Sequence, residues 1–308
     1  MQRVCVMLVL VAFAAGTLAA QKAKSKGDLL KEIATIGTAN EDAMSKSYVL
    51  GKELVARFGT EKDEKVAKVK TFVEKYRMEL FYRAVDAKKT DDAFRIGKEI
   101  LAEQPDSGTV VLNLGYMGFV GISTGDTKYA ADAILYTDQG IALIDAGKVT
   151  DGFAPFADKD QALAWCNYIN AIASQNTDLP SGAAHMYKAT TYQSDIKSTL
   201  DPYYYIAFYY EGIYEKASVE LKKKIDAKTI SVDDEKTAKA HVDKAVDLMM
   251  DAYARALKFG EAAKSPKVPE VKTRLGVVFK FRRGTSEGLD EYLKYTTSLP
   301  MPDPAVFK

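Results

Sequence analysis

The chain has 308 residues, 47% of them hydrophobic, and carries 43 Lys and Arg against 42 Asp and Glu. That apolar fraction is ordinary for a globular chain and excludes a disordered one. The near-zero charge balance removes the electrostatic case for nucleic acid or an anionic membrane as a partner.

Residues 1–20 stand apart from the rest. Gln2-Arg3 is a short positive start, residues 4–15 are apolar, and Gly16-Thr17-Leu18-Ala19-Ala20 is a small-residue end suited to cleavage before Gln21. This pattern reads as an export signal, so the protein is expected in the periplasm, in the cell envelope or outside the cell. The apolar run is shorter than the roughly 20 residues a spanning helix needs, and no transmembrane segment is expected in the mature chain. Cys5 lies inside the signal, which leaves Cys166 without a partner for an internal disulfide. Cys166 follows Ala162-Leu163-Ala164-Trp165 in an apolar run and reads as a small buried hydrophobe. Residues 21–27 read as a loose polar tail and residues 28–308 as a single compact all-α domain.

Apolar spacing places the helices in order. The first is expected over 28–36, with Leu29, Leu30, Ile33 and Ile36 on one side, and the second over 41–58. A third over 66–88 aligns Val66, Val69, Phe72, Val73, Tyr76, Leu80 and Ala84. A fourth over 91–102 begins with Asp91-Asp92, well placed for the positive end of its dipole. Leu114-Gly115 lies in the next helix, Gly125-Asp126 breaks it, and another helix runs to Ala146. Residues 147–160 are loop-rich, a helix over 161–174 carries Trp165, Ile169 and Ile172, Pro180-Ser181-Gly182 turns the chain, and a further helix is expected over 183–200. Asp201 is the expected cap, and Pro202 the first residue, of a helix that opens Tyr203-Tyr204-Tyr205-Ile206-Ala207-Phe208-Tyr209-Tyr210. This run is aromatic on every side, so the helix is either buried all round or offers one face as a binding wall. Residues 216–244 are charged and read as a solvated helical extension interrupted near 229–234, with Lys222-Lys223-Lys224 on a solvated face. A compact helix over 245–259 follows, and Pro266 and Pro269 mark a linker.

Residues 272–300 read as a helical hairpin. Gly276 and Gly288 supply small residues where the two helices cross, and Leu275, Phe279 and Tyr292 fill the space beside them. Arg283-Gly284-Thr285-Ser286 makes the turn, Thr285 or Ser286 caps the second helix, and Pro300 ends it.

The offsets of Leu275-Gly276, Phe279, Gly288, Tyr292 and Pro300 resemble those of a tetratricopeptide repeat. Ala93 and Pro105 repeat the spacing of Gly288 and Pro300, and Leu80 and Leu114 stand about 34 residues apart, which is that family's period. Tyr203 with Ile206-Ala207 and Tyr210, and Tyr253 with Ala256-Leu257, fall at further matching offsets. Lys272 stands where the family prefers an aromatic and Tyr295 where it prefers alanine. The resemblance implies antiparallel helix pairs stacked as a degenerate tetratricopeptide-like α-solenoid, with the first helix of each pair lining a groove. The groove-facing offsets map onto Tyr82, Leu112, Tyr116, Phe119, Tyr204 and Phe208. These side chains are apolar and aromatic, without the Arg or Lys clusters that take carboxylate or phosphate. Such a groove suits an apolar or ring-bearing small ligand, or an amphipathic helix. An aromatic stripe at helical spacing is also the ordinary pattern of a core.

No catalytic group, metal or cofactor is expected. His185 and His241 lack metal-ligand spacing with cysteine or with each other, and the chain has no Gly-rich phosphate loop, no G-x-S-x-G and no H-E-x-x-H. The first functional expectation is an exported, non-catalytic scaffold or binding protein mediating protein–protein interaction. A second resemblance gives the alternative. The helix over 161–174 and the Asp201-Pro202-Tyr203 helix entry are similar to the helical periplasmic component associated with tripartite (TRAP) solute transporters, built from degenerate tetratricopeptide repeats. That resemblance implies a small-ligand pocket and homo-oligomers. Some members of that family are lipid-anchored, and this chain lacks the signal cysteine for it.

Overall fold

A computed structural model describes residues 23–149 and 152–307. The expected export signal over 1–20 lies outside the described residues. Among the described residues there are twelve α-helices, three short 3-10 turns and no strand. No helix there is long and apolar enough to cross a membrane. The chain packs as two compact units, one ending at Arg77 and the other beginning at Met78.

The first unit holds α1 (Lys26–Ile36), α2 (Glu41–Phe58) and the start of α3 (Glu64–Asp86). Leu29, Leu54 and Val66 are buried, with Leu30, Ile33, Leu50, Phe58 and Val69 against them. Helix α1 begins two residues before the expected start. Ser25 and Asp28 form a reciprocal capping box, so the end of the supposed loose tail is ordered by two otherwise unmet backbone donors. Asn40 caps α2 through the Ala43 amide at 2.9 Å, and Tyr76 donates to Glu41 at 2.7 Å.

The second unit continues with α4 (Thr90–Glu103), α5 (Gly108–Ser123), α6 (Ala130–Asp145), α7 (Lys159–Ser174), α8 (Leu179–Thr191), α9 (Asp201–Asp226), α10 (Val232–Ala262), α11 (Val268–Arg283) and α12 (Leu289–Thr296). From α4 to α11 each helix packs on the next in sequence; α5 also touches α7, and α12 rests on α10. Two apolar cores result. Phe81, Phe94, Val111, Leu112, Leu114, Met117 and Ile144 lie in the first, and Met186, Ile206, Tyr210, Met249, Met250, Tyr253, Leu257 and Phe279 in the second. Cys166 is buried in the first, and burial pushes its thiol up to about 12. It therefore packs as the small hydrophobe that its apolar run suggested.

The close helix crossing is between α5 and α6 rather than in the C-terminal hairpin. A Cβ added at Gly118 would lie 2.6 Å from the Ala133 Cβ and 3.0 Å from its Cα, and one at Gly115 would lie 2.9 Å from the Thr137 methyl. Backbone approach of this kind needs glycine on at least one side. Gly118→Ala should destabilise the fold by up to about 2 kcal/mol, because overpacking of about 1–3 kcal/mol is set against the roughly 1 kcal/mol gained in helix propensity. Urea denaturation checks the sign; a stabilised variant would show that the crossing relaxes freely.

By contrast, a Cβ at Gly276 would meet nothing within 4 Å, so this residue is not the helix contact that its spacing suggested. Gly288 lies before α12 rather than within it, at φ 84°, where only glycine is at ease. Neither Thr285 nor Ser286 caps α12; Thr285 Oγ1 accepts from the Glu287 amide at 3.1 Å and serves the turn. Leu275 and Phe279 are buried as expected, and the Phe279 and Tyr292 rings stand 5.5 Å apart.

Two more boundaries depart from the sequence reading. Pro180-Ser181-Gly182 is the first turn of α8, not a break, because Asp178 accepts from the Ser181 amide at 3.1 Å and proline needs no donor there. The helix then stops at Thr191, well short of residue 200. Thr190 and Thr191 turn their hydroxyls onto the Tyr187 and Lys188 carbonyls, and Trp165 Nε1 donates to Asp195 at 3.2 Å, drawing the next segment back onto α7. Asp201 is the first residue of α9 and makes no side-chain cap.

Candidate functional site

Helix α9 shows how an all-round aromatic run is used. Tyr203, Ile206, Ala207 and Tyr210 share one face and are buried in the second core. Asp201, Tyr204, Tyr205 and Phe208 share the other, at helical offsets i, i+3, i+4 and i+7. That outer face lines a cleft of about 430 Å³. Tyr168 and Ile172 of α7 and Leu179 and Met186 of α8 form the opposite wall, and Gln175, Asn176 and Lys267 complete the lining.

The hydroxyls of Tyr204 and Tyr205 are anchored, so those rings are held in place. Tyr204 donates to Glu270 at 2.5 Å, and Tyr205 donates to the Ala171 carbonyl at 3.2 Å. Gly182 leaves room for that second hydroxyl, since an added Cβ would lie 2.1 Å from it. The hydrogen bond to Glu270, aided by burial, pushes the Tyr204 phenol up to about 12, and burial does the same to Tyr168 and Tyr205. All three are neutral donors at physiological pH. Phe208 is 56% exposed although it is fully apolar.

A second row of rings meets this wall. Phe119 of α5 stands 5.9 Å from Tyr168 and 5.8 Å from Trp165, whose own ring is 5.6 Å from Tyr168. Tyr116 lies 6.4 Å from Phe119 and 6.2 Å from Phe156, which stacks on Trp165 at 6.3 Å. Of the six expected groove residues, Tyr204 and Phe208 therefore line the cleft, and Tyr116 and Phe119 join it through Trp165 and Tyr168. Leu112 does not: it is 1% exposed and packed in the first core, with its methyl 2.9 Å from where a Gly140 Cβ would be. It faces inward because α6 comes within van der Waals reach of that side of α5. Tyr82 also lies apart, touching Phe81 at 5.8 Å and lining no part of the cleft. Sequence reasoning missed Tyr168, Tyr205 and Lys267. Tyr168 was open to discovery as the i+3 partner of Trp165; Lys267 reaches Tyr204 from a segment more than sixty residues away, which no local pattern signals.

A polar seam lies beside the cleft. Asn167 Nδ2 donates to the Leu163 carbonyl at 2.8 Å, so its Oδ1 must accept from His185 Nδ1 at 2.9 Å. Asn170 donates to Asp138 at 2.6 Å. Burial lowers the His185 pKa, with the Asp138 charge opposing and Lys188 adding to the shift. Between that lowered value and the unfolded value near 6.5, the unfolded chain binds a proton that the folded chain refuses, so stability falls as pH falls through this window. The loss of Tm between pH 7 and pH 5 should be smaller in His185→Gln; an unchanged loss would mean that His185 titrates normally. Among the described residues no group of three His, Cys, Asp or Glu side chains is placed to hold a metal ion.

Compared with known proteins, the chain matches no family model, no curated protein and no solved structure. The tetratricopeptide resemblance thus rests on the offsets of its residues.

Proposed function

We infer that this is an exported, non-catalytic, tetratricopeptide-like helical binding protein of the periplasm or cell envelope, and that it holds a small ring-bearing ligand in the cleft between α7, α8 and α9. The observation that carries this reading is the outer face of α9. Tyr204, Tyr205 and Phe208 turn away from the core into a cleft of about 430 Å³, and pockets of this size with apolar walls and a few fixed polar groups take small ligands. This favours the transporter-associated alternative over a plain scaffold, since a solute-handling component needs such a cavity. The test is saturation-transfer NMR with benzyl alcohol as probe. Transfer should reach the probe from the parent protein and vanish in Phe208→Ala with fold intact. Equal transfer in both proteins would place the probe elsewhere and refute the assignment.

Protein–protein interaction is the second reading, and one observation favours it. Val277 and Phe281 of α11 are exposed and, with Tyr214, Val246, Met249 and Val278, give a largely apolar lining to a cleft of about 220 Å³ that Glu211, Glu215 and Arg274 also line. A face of this kind suits an amphipathic helix or a second copy of the chain.

A further inference from the structure

An ammonium stands over the Tyr204 ring in the cleft between α7, α8 and α9, whose lining also holds the rings of Tyr168, Tyr205 and Phe208. Lys267 Nζ stands 5.8 Å over the centroid of the Tyr204 ring and 2.9 Å from Asp201 Oδ1. Both partners of that ion pair are about half exposed. The pair is thus weakly held, as exposed pairs are. Its geometry is that of a cation seated between an aromatic face and a carboxylate.

The charges around Lys267 point the same way. Helices α9 and α11 both start there, since Lys267 precedes α11 and pairs with Asp201, the first residue of α9, and a helix start carries about half a positive charge. Each is met by its own carboxylate: Asp201 in the first turn of α9 and Glu270 in the first turn of α11. Neither start is left free for an anion. With the Lys267 ammonium displaced, the two carboxylates outweigh the two helix ends. Glu270 also accepts from the Tyr204 hydroxyl, which holds the ring with its face toward Lys267 and fixes negative charge behind it.

We propose that the α7–α8–α9 cleft binds an organic cation, a substituted or quaternary ammonium. In this arrangement the ligand's cationic end takes the place of the Lys267 ammonium between Tyr204 and Asp201, and its body lies against Tyr168, Tyr205 and Phe208. The idea rests on the ligand-binding reading above and adds the charge of the ligand to it. Aromatic faces attract ammonium groups through the ring quadrupole, most strongly where the group sheds water. Lys267 acts as a tethered occupant that holds the site in shape and sets a threshold of affinity.

The experiment titrates the full chain with choline and with its neutral isostere 3,3-dimethylbutan-1-ol. Binding is followed by the fluorescence of Trp165, the single tryptophan of the chain, whose ring lies 5.6 Å from Tyr168. Choline should bind about tenfold more tightly than the alcohol, the size of a desolvated cation–π contribution. Lys267→Gln should tighten choline several-fold and leave the alcohol unchanged, because only a cation competes with the Lys267 ammonium. Phe208→Ala, at an exposed position that the fold does not need, should weaken both. Equal or tighter binding of the alcohol would overturn the cationic preference and leave the ligand-binding reading standing. Binding of neither probe at millimolar concentration would overturn the cationic assignment, while the ligand-binding reading stands or falls with the benzyl alcohol transfer. Choline binding untouched by Lys267→Gln and Phe208→Ala would place the cation elsewhere and overturn the site.

Discussion

Arg255→Ala should destabilise the second unit by about 3–5 kcal/mol, the cost of leaving a buried charge without its partner. Arg255 is 7% exposed on α10. Its Nε donates to Asp251 Oδ1 at 2.7 Å and its Nη2 to Oδ2 at 3.2 Å. The same Nη2 donates to the Thr296 carbonyl at 3.0 Å and the Leu299 carbonyl at 2.9 Å. One guanidinium therefore holds the end of α12 against α10. Removing it strands the Asp251 carboxylate as well as two backbone acceptors. Burial pushes the Asp251 carboxyl above its usual range, and the Arg255 hydrogen bonds oppose that shift. Without Arg255 the folded state would bind a proton there at higher pH than the unfolded chain does, so stability rises as pH falls. The destabilisation should accordingly shrink toward pH 5, and Asp251→Leu combined with Arg255→Met should recover part of it. Urea denaturation at pH 7 and pH 5 checks all three points. A loss below 1 kcal/mol at pH 7 would show that the C-terminal segment is held by apolar contacts alone.

The second large effect is a contrast between two residues that look alike in sequence. Leu112→Ala should cost about 2–5 kcal/mol, the range for emptying a packed core position. Phe208→Ala should cost less than about 1 kcal/mol, since surface changes away from packed or paired groups seldom exceed that. Both residues fall at groove-facing offsets of the tetratricopeptide resemblance, yet Leu112 is 1% exposed and Phe208 is 56% exposed. Thermal and urea denaturation of the two variants separate core from cleft. Comparable losses would mean that Phe208 packs in solution and that the cleft is closed.

The same contrast shows what the sequence carries and what it does not. Helix α2 begins at Glu41 and ends at Phe58, as the spacing and Gly59 suggest, because Asn40 and the apolar periodicity are local signals. The split of the charged hairpin between α9 and α10 is equally legible, since Thr229 and Ser231 interrupt two runs of good helix formers. The end of α8 at Thr191 is not, because it depends on Trp165 drawing Asp195 back to α7. Periodicity sorts the residues of α9 into two faces without saying which is covered. That is decided by Val246, Met249 and Tyr253 of α10, which pack with Tyr203, Ile206 and Tyr210 in the second core. Gly276 shows the limit most plainly: its spacing matches a helix contact, but no neighbouring helix comes within reach of it. The small residues that do let helices meet, Gly115 and Gly118, sit in an apolar run whose spacing says nothing of what lies opposite.

We propose that the outer face of α9 is a ligand wall rather than core. Native mass spectrometry of the protein purified gently from its own cells tests it most directly, with Phe208→Ala purified in parallel. The parent should carry a small molecule that is released on denaturation, and the variant, equally folded, should carry none. A parent protein of bare mass that stays bare when returned to an extract of its own cells' small molecules would contradict the claim.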